Sequence, residues 1–225
     1  MTKHKITTMF AVGALALGGA ACGDDEDPVS ASSDSSQSTE QQAKPEPVAQ
    51  IDQLTGQTTA VKLDASFVSA LESLKLTPAP VGDAKIENGS AKFPITGGNV
   101  TYYEPGSVSP YVQGRIDHDG SGLSLTGGGK TVELTDFVID PGKSVLTGTV
   151  TVDGEQAAAD APLFFLDGRT LEPLRTTDDG RAVLEGTTVK LKAEAADLLN
   201  QTFGVDALKE GLVIGVAKIT VVVPS

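Results

Sequence analysis

From Lys130 to Val152 the chain reads KTVELTDFVIDPGKSVLTGTVTV, and apolar or β-branched residues alternate with polar ones on both sides of Asp140-Pro141-Gly142. A two-residue period is the spacing of a half-buried β-strand, whose successive side chains point to opposite faces. A Pro-Gly pair between two such runs is a turn. The pattern recurs. Asn88-Gly89 lies between short β-like runs in AKIENGSAKFPI, Asp119-Gly120 in VQGRIDHDGSGLSLT, and Asp179-Gly180 in LEPLRTTDDGRAVL. Each dipeptide supplies the positive φ that tight hairpins require, so a hairpin is expected at each. LTGGGKT (Leu125 to Thr131) has the look of a phosphate loop, but Ser124 stands where the first glycine belongs and β-like runs flank it on both sides. It is expected to be one more glycine-rich hairpin turn. The fold class that follows is mainly β: an antiparallel sheet domain over residues 51–225, long enough for a single core.

Two segments break the alternation, and they match each other. TAVKLDASFVSAL (Thr59 to Leu71) aligns without gaps to TTVKLKAEAADLL (Thr187 to Leu199). In each, a short strand runs into a helix. Phe67, Leu71 and Leu74 share one face of the first, and Ala195, Leu199 and Phe203 one face of the second. Asp64 is a good N-cap, whereas Lys192 at the matching place is a poor one. Strands are expected after both helices, from Ala84 and from Gly211. The two helices make the domain α+β, with a duplicated strand–helix–strand arrangement; chance similarity between the segments is the alternative.

The N-terminus carries an address. Lys3 and Lys5 precede an apolar run from Ile6 to Leu17, and small residues then lead to Cys22, the chain's only cysteine. Charged start, short apolar core and small-residue exit are the parts of a secretory signal; the run is shorter than the roughly 20 residues of a membrane-spanning helix. GAAC (Gly19 to Cys22) resembles a bacterial lipobox, with Gly19 where leucine is usual. Two readings stand: residues 1–21 are a lipoprotein signal and Cys22 becomes the lipidated first residue, or the signal is an ordinary one that leaves a stray thiol. A lone thiol is a liability in an oxidising compartment, which favours lipidation. The protein is then exported and anchored to a membrane by lipid, with its domain outside the cytoplasm. With one cysteine there is no internal disulfide, so the exported fold rests on its core. Gly23 to Gln50 has seven acids and one lysine among Ser, Gln and Pro; together with Cys22 it forms a disordered acidic tether over 22–50.

The formal charge is −13, from 17 basic and 30 acidic residues. Such a surface repels phosphate backbones, so nucleic acid is excluded as a partner, and it does not draw the chain to an anionic membrane, which leaves the anchoring to the lipid. The candidates for chemistry are few. His118 is the only histidine after the leader, and no Gly-x-Ser-x-Gly elbow accompanies it. Asp117 and Asp119 alternate with Ser121 as in some calcium loops, but the glycine comes too early and no acid closes the loop; they are a weak calcium candidate in what is otherwise a turn. Tyr102, Tyr103 and Tyr111 cluster around Pro105 and Pro110 in a stretch that reads as a strand end and an exposed loop. Tyrosines on loops serve recognition, and they also serve to cover a core edge.

The run from Gly122 to Gly154, with APLFFLDG and the closing TTVKLKAEAADLLNQTFG and GLVIGVAKITV, resembles a group of uncharacterised secreted or lipid-anchored bacterial envelope proteins, and more distantly the HtaA-type envelope domains, β-rich modules of which some bind haem. The resemblance implies a β-rich envelope domain. It also makes Tyr102, Tyr103, Tyr111 and His118 the first residues to inspect for haem or another small molecule, since HtaA haem binding is associated with Tyr and His ligands. The expected function is a non-catalytic structural or binding domain in the cell envelope, with an unidentified envelope protein or small molecule as partner and no cofactor. A small-molecule capture module and a hydrolase are the alternatives. Stoichiometric haem binding is not expected, because the tyrosines read as exposed and the net charge opposes the propionates.

Overall fold

The computed structural model describes residues 45–223. The leader, Cys22 and most of the tether lie outside the described residues. The tether's last two residues, Ala49 and Gln50, belong to the first strand, β1 (Ala49–Ile51). There follow β2 (Thr58–Leu63), α1 (Ala65–Leu74), β3 (Thr77–Gly82), β4 (Lys85–Glu87), β5 (Ser90–Pro94) and β6 (Gly97–Tyr102). The middle of the chain is β7 (Val112–Gly127), β8 (Lys130–Asp140), β9 (Val145–Val152) and β10 (Glu155–Asp167). A 3-10 turn (Gly168–Thr170), β11 (Arg175–Thr176), β12 (Arg181–Leu191), α2 (Ala193–Phe203) and β13 (Val213–Val222) complete it. The fold is a β-rich antiparallel domain with two short helices, the α+β arrangement expected.

The main path of the sheet runs β7-β8-β9-β10-β12-β13-β2-β5, every pairing antiparallel. β5 and β6 are nearly continuous. The first pairs with β2, the second with β7, and the amide of Thr96 between them donates to the carbonyl of Asp117. One stretch of chain thus reaches both ends of the path, and the sheet curls on itself around one apolar core that includes Val61, Phe93, Phe137, Phe164, Val189 and Ile214.

Three of the expected hairpins form. Asn88 (φ 53°) and Gly89 (φ 71°) join β4 to β5, Pro141 and Gly142 lie between β8 and β9, and Gly180 lies between β11 and β12. The glycine-rich run also turns, at Gly128 and Gly129 (φ 58° and 77°), between paired Gly127 and Lys130. Asp119-Gly120 does not make a hairpin. β7 runs straight through it, with a register shift against β8 between His118 and Gly122. A bulge and a turn both need a residue at positive φ, and Gly120 (φ 69°) supplies it here. Opposite it, Asp136 also has positive φ and takes the Gly120 amide on Oδ1 at 2.9 Å. The bulge changes which residues face inward, from Ile116 and His118 before it to Ser121 and Leu125 after it.

The matching segments are both strand–helix units. β2 and β12 flank β13, one on each side, and both are antiparallel to it. Both helices therefore leave the sheet at the end where β13 begins. Asp64 caps α1, its carboxylate accepting from the Ser66 amide at 2.8 Å, while Lys192 makes no side-chain cap bond. The likeness ends with the helices. After α1 the chain enters β3, a strand not expected from TPAPVG with its two prolines, which pairs with the second half of β7. After α2 it enters β13, the strand between the two units.

Candidate functional site

At the end of the curled sheet away from the helices lies a cavity of about 560 Å³. Its walls follow from strand alternation. On β13 the residues Ala217, Ile219 and Val221 face it, and on β12 Ala182 and Leu184 do. A bulge at Gly186 then shifts the phase, so that Thr187 lines the cavity and Val189 and Leu191 continue into the core. Ile116 of β7, Ile139 of β8 and Phe165 of β10 contribute further apolar surface. Phe164 and Phe165 divide the work: Phe164 is buried in the core, and Phe165 stands 44% exposed at the cavity.

Tyr102 and Tyr111 form part of the same wall. Their rings meet edge to face, centroids 5.7 Å apart at 90°, an arrangement favoured by the ring quadrupoles. Burial, together with the neighbouring Tyr102, pushes the Tyr111 hydroxyl above its ordinary pKa. The tyrosines are therefore not an exposed loop cluster. Tyr102 and Tyr103 are buried, Tyr111 is half-buried, and the Tyr103 amide donates to the Tyr111 carbonyl, folding the loop back on itself. Tyr103 does not line the cavity. Their place beside the apolar wall comes from pairing of β6 with β1 and β7, which local sequence does not display.

His118 lies apart from them. It is 1% exposed inside the core, with Phe93 edge-on at 6.4 Å. Nδ1 sits 3.1 Å from the Phe137 carbonyl and Nε2 2.8 Å from the Thr59 hydroxyl. A carbonyl only accepts, so Nδ1 carries the proton and donates to it, and the Thr59 hydroxyl donates to Nε2. Both ring nitrogens are used, and the void beside the ring is about 40 Å³, room for about one water. Burial holds the imidazole below its ordinary pKa, opposed by the Phe137 carbonyl and by Asp117 and Asp119. This histidine is a core residue and is not presented to the cavity.

The remaining candidates are engaged locally. Asp117 accepts from Arg115 Nε at 2.6 Å, and Asp119 Oδ2 accepts from the Thr96 hydroxyl at 3.2 Å. Among the described residues no three His, Cys, Asp or Glu side chains cluster as a metal site.

The polar part of the cavity comes from residues outside the sequence candidates. Among the described residues two charged side chains line it, Asp167 and Arg169. The Asp167 carboxylate is 6% exposed, yet it receives Arg169 Nε at 2.9 Å, Arg169 Nη2 at 2.6 Å and Lys190 Nζ at 2.8 Å. These bonds hold it far below the usual carboxylate range. It also caps the 3-10 turn by accepting from the Arg169 amide at 3.2 Å. The turn itself sits against Gly186. A Cβ there would stand 2.2 Å from the Thr170 carbonyl oxygen, and the Thr170 hydroxyl donates to the Gly186 carbonyl at 2.7 Å. The local signal for it is APLFFLDG, where adjacent Phe residues and Asp-Gly break the alternation.

No protein-family model and no curated protein matches this chain. Solved structures do. The chain is similar to the C-terminal domain of HtaA from Corynebacterium glutamicum, at 16% identity and a TM-score of 0.53, covering 75% of this chain and 97% of that one. A domain-swapped dimer of a histidine-to-alanine variant of the same domain matches at 16% identity and 0.46, covering 71% and 92%. The heme binding protein HtaB from the same organism matches at 10% identity and 0.44, covering 77% and 96%. The first of these establishes a shared fold.

Proposed function

We propose that the domain is a non-catalytic capture module for an apolar small molecule, held on the outer side of a membrane. The observation that carries this reading is the cavity of about 560 Å³, walled by aliphatic and aromatic side chains and edged by one guarded ion pair. Its size and chemistry are those of small-molecule sites, which are mostly apolar with few polar groups. Catalysis has less support: His118 is locked in the core, and the Asp167 carboxylate is neutralised by two cations. The test is titration with the neutral fluorescent probe N-phenyl-1-naphthylamine. Saturable binding near one equivalent, lost in Leu184→Trp with the circular dichroism spectrum unchanged, is expected. No saturable binding by the wild-type domain overturns the reading.

Haem is a second reading, favoured by Tyr102 and Tyr111 in an apolar wall. A tyrosinate holds ferric haem best with a hydrogen-bonding neighbour and a greasy slot. Here His118 is not that neighbour, since its nitrogens are bound to Phe137 and Thr59. A sharp Soret band saturating at one equivalent of haemin, and lost on Tyr102→Phe or Tyr111→Phe, makes haem the ligand.

For the address, we take residues 1–21 as a lipoprotein signal, Cys22 as the lipidated residue and the acidic stretch after it as a tether, on the strength of GGAAC behind a basic, apolar leader. Cys22→Ser then moves the protein from the membrane fraction to the soluble one. A variant that stays membrane-bound, together with a wild type free of lipid by mass spectrometry, removes this part of the proposal.

A further inference from the structure

We infer that the captured molecule ends in a single carboxylate that is received by Arg169, and that a long-chain fatty acid is the class of ligand this cavity takes; the inference rests on the capture reading above. A cavity for a purely neutral apolar molecule has no use for a charge in its lining. This one carries the Asp167–Arg169 pair, within a lining otherwise apolar or weakly polar. Asp167 alone would repel an anion, but it binds two cations, so Asp167, Arg169 and Lys190 together leave one positive charge in a chain whose formal charge is −13. The surrounding negative charge acts from a distance and is screened beyond roughly 8–10 Å at physiological salt. The nearby acids Glu172 and Glu185 are occupied, by Arg175 and by Arg175 with Lys218.

Arg169 is suited to the task. Asp167 takes its Nε and Nη2, and Nη1 makes no hydrogen bond among the described residues. A guanidinium fixed on one edge by a carboxylate keeps two N–H donors in a set direction, and arginine receives carboxylates with little loss of freedom per bond formed. The side chain is 82% exposed, so a head group reaches it from solvent without being buried alone. The hydrocarbon would lie against Ile219, Val221, Leu184 and Phe165. The single net positive charge of the Asp167–Arg169–Lys190 group matches one carboxylate. A dianionic ligand would need a second net charge, and Lys190, outside the lining, is already spent on Asp167.

The experiment uses cis-parinaric acid, whose fluorescence rises in apolar surroundings, displaced by palmitate or by methyl palmitate. Palmitate is expected to displace it at least tenfold better than the ester. Arg169→Gln should weaken palmitate about tenfold and leave the ester unchanged, and Arg169→Lys should recover most of the loss. Equal displacement by acid and ester, or an equal loss of both in Arg169→Gln, overturns the inference, while continued binding of N-phenyl-1-naphthylamine leaves the capture reading standing. Loss of the neutral probe as well removes both. Haemin that displaces parinaric acid and develops a tyrosine-dependent Soret band replaces the fatty acid as the ligand.

Discussion

Burial keeps the His118 imidazole neutral, and this has a measurable consequence. Its folded pKa lies below the ordinary value of about 6.5, so on acidification the unfolded chain takes up the proton first. By linkage the stabilisation is complete above about pH 6.5 and is lost as pH falls from there through the folded value. The unfolding midpoint in urea is expected to be level from pH 8 to 7 and to drop toward pH 5, with the drop reduced in His118→Gln. The carboxylates held low, Asp64, Glu87, Asp140, Asp153, Asp167 and Asp179, are ionised in both states across most of that range and titrate in stronger acid. A midpoint that is flat from pH 8 to 5 would contradict the assignment. The same contacts predict coupling. Thr59→Val removes the donor to Nε2 and should cost about 1–3 kcal/mol, the range for an unsatisfied buried polar group. With His118→Leu already present it should cost less, and a double-mutant cycle in urea reads the difference.

Among the elements, the two strand–helix units differ at one decisive place. Asp64 satisfies an orphan amide of α1, and Lys192 satisfies none in α2 while placing a positive charge at the positive end of the helix dipole. Lys192→Asp should therefore stabilise the domain, by about 1 kcal/mol on the usual scale of caps, and Asp64→Ala should lower the thermal midpoint. Opposite signs are the point; a destabilised Lys192→Asp would mean that the lysine's contact with Glu194 at 3.8 Å matters more than the cap. The 3-10 turn depends on Gly186 in another way. Its φ of 109° and the 2.2 Å approach of Thr170 leave no room for a methyl group, so Gly186→Ala should cost about 1–3 kcal/mol of backbone strain. It should also weaken palmitate binding, because the displaced turn carries Arg169. Elements of this kind were readable to different depths. The Asn88-Gly89 and Gly128-Gly129 turns, the two helices and the poor cap at Lys192 follow from local chemistry. Asp119-Gly120 reads as a turn but is a bulge, because positive φ serves both, and the two prolines of β3 argue locally against a strand that β7 nevertheless pairs with.

At the scale of the whole molecule, the cavity is drawn from both ends of the domain, from Ala49 to Val221, and this is why the site was not readable locally. The tyrosines were visible as a cluster, but whether they faced solvent or a wall depended on where β1, β7 and β13 came to lie. The same non-locality governs folding. β13 is the last of the described strands and pairs on one side with β12 and on the other with β2, so Thr59 lies opposite Ile219. Until β13 is in place, both strand–helix units lack a partner edge, and one end of the core has no cover. A chain ending before Gly211 should therefore remain unfolded, with no cooperative transition in urea and rapid cleavage by protease. The intact domain should refold slowly, in milliseconds to seconds or longer, as sheets dominated by distant pairings do. Stopped-flow refolding from urea and limited proteolysis of the truncated chain measure the two outcomes. A truncated chain that resists protease and unfolds cooperatively would show that the rest of the sheet is stable by itself, and that β13 completes the cavity without completing the fold.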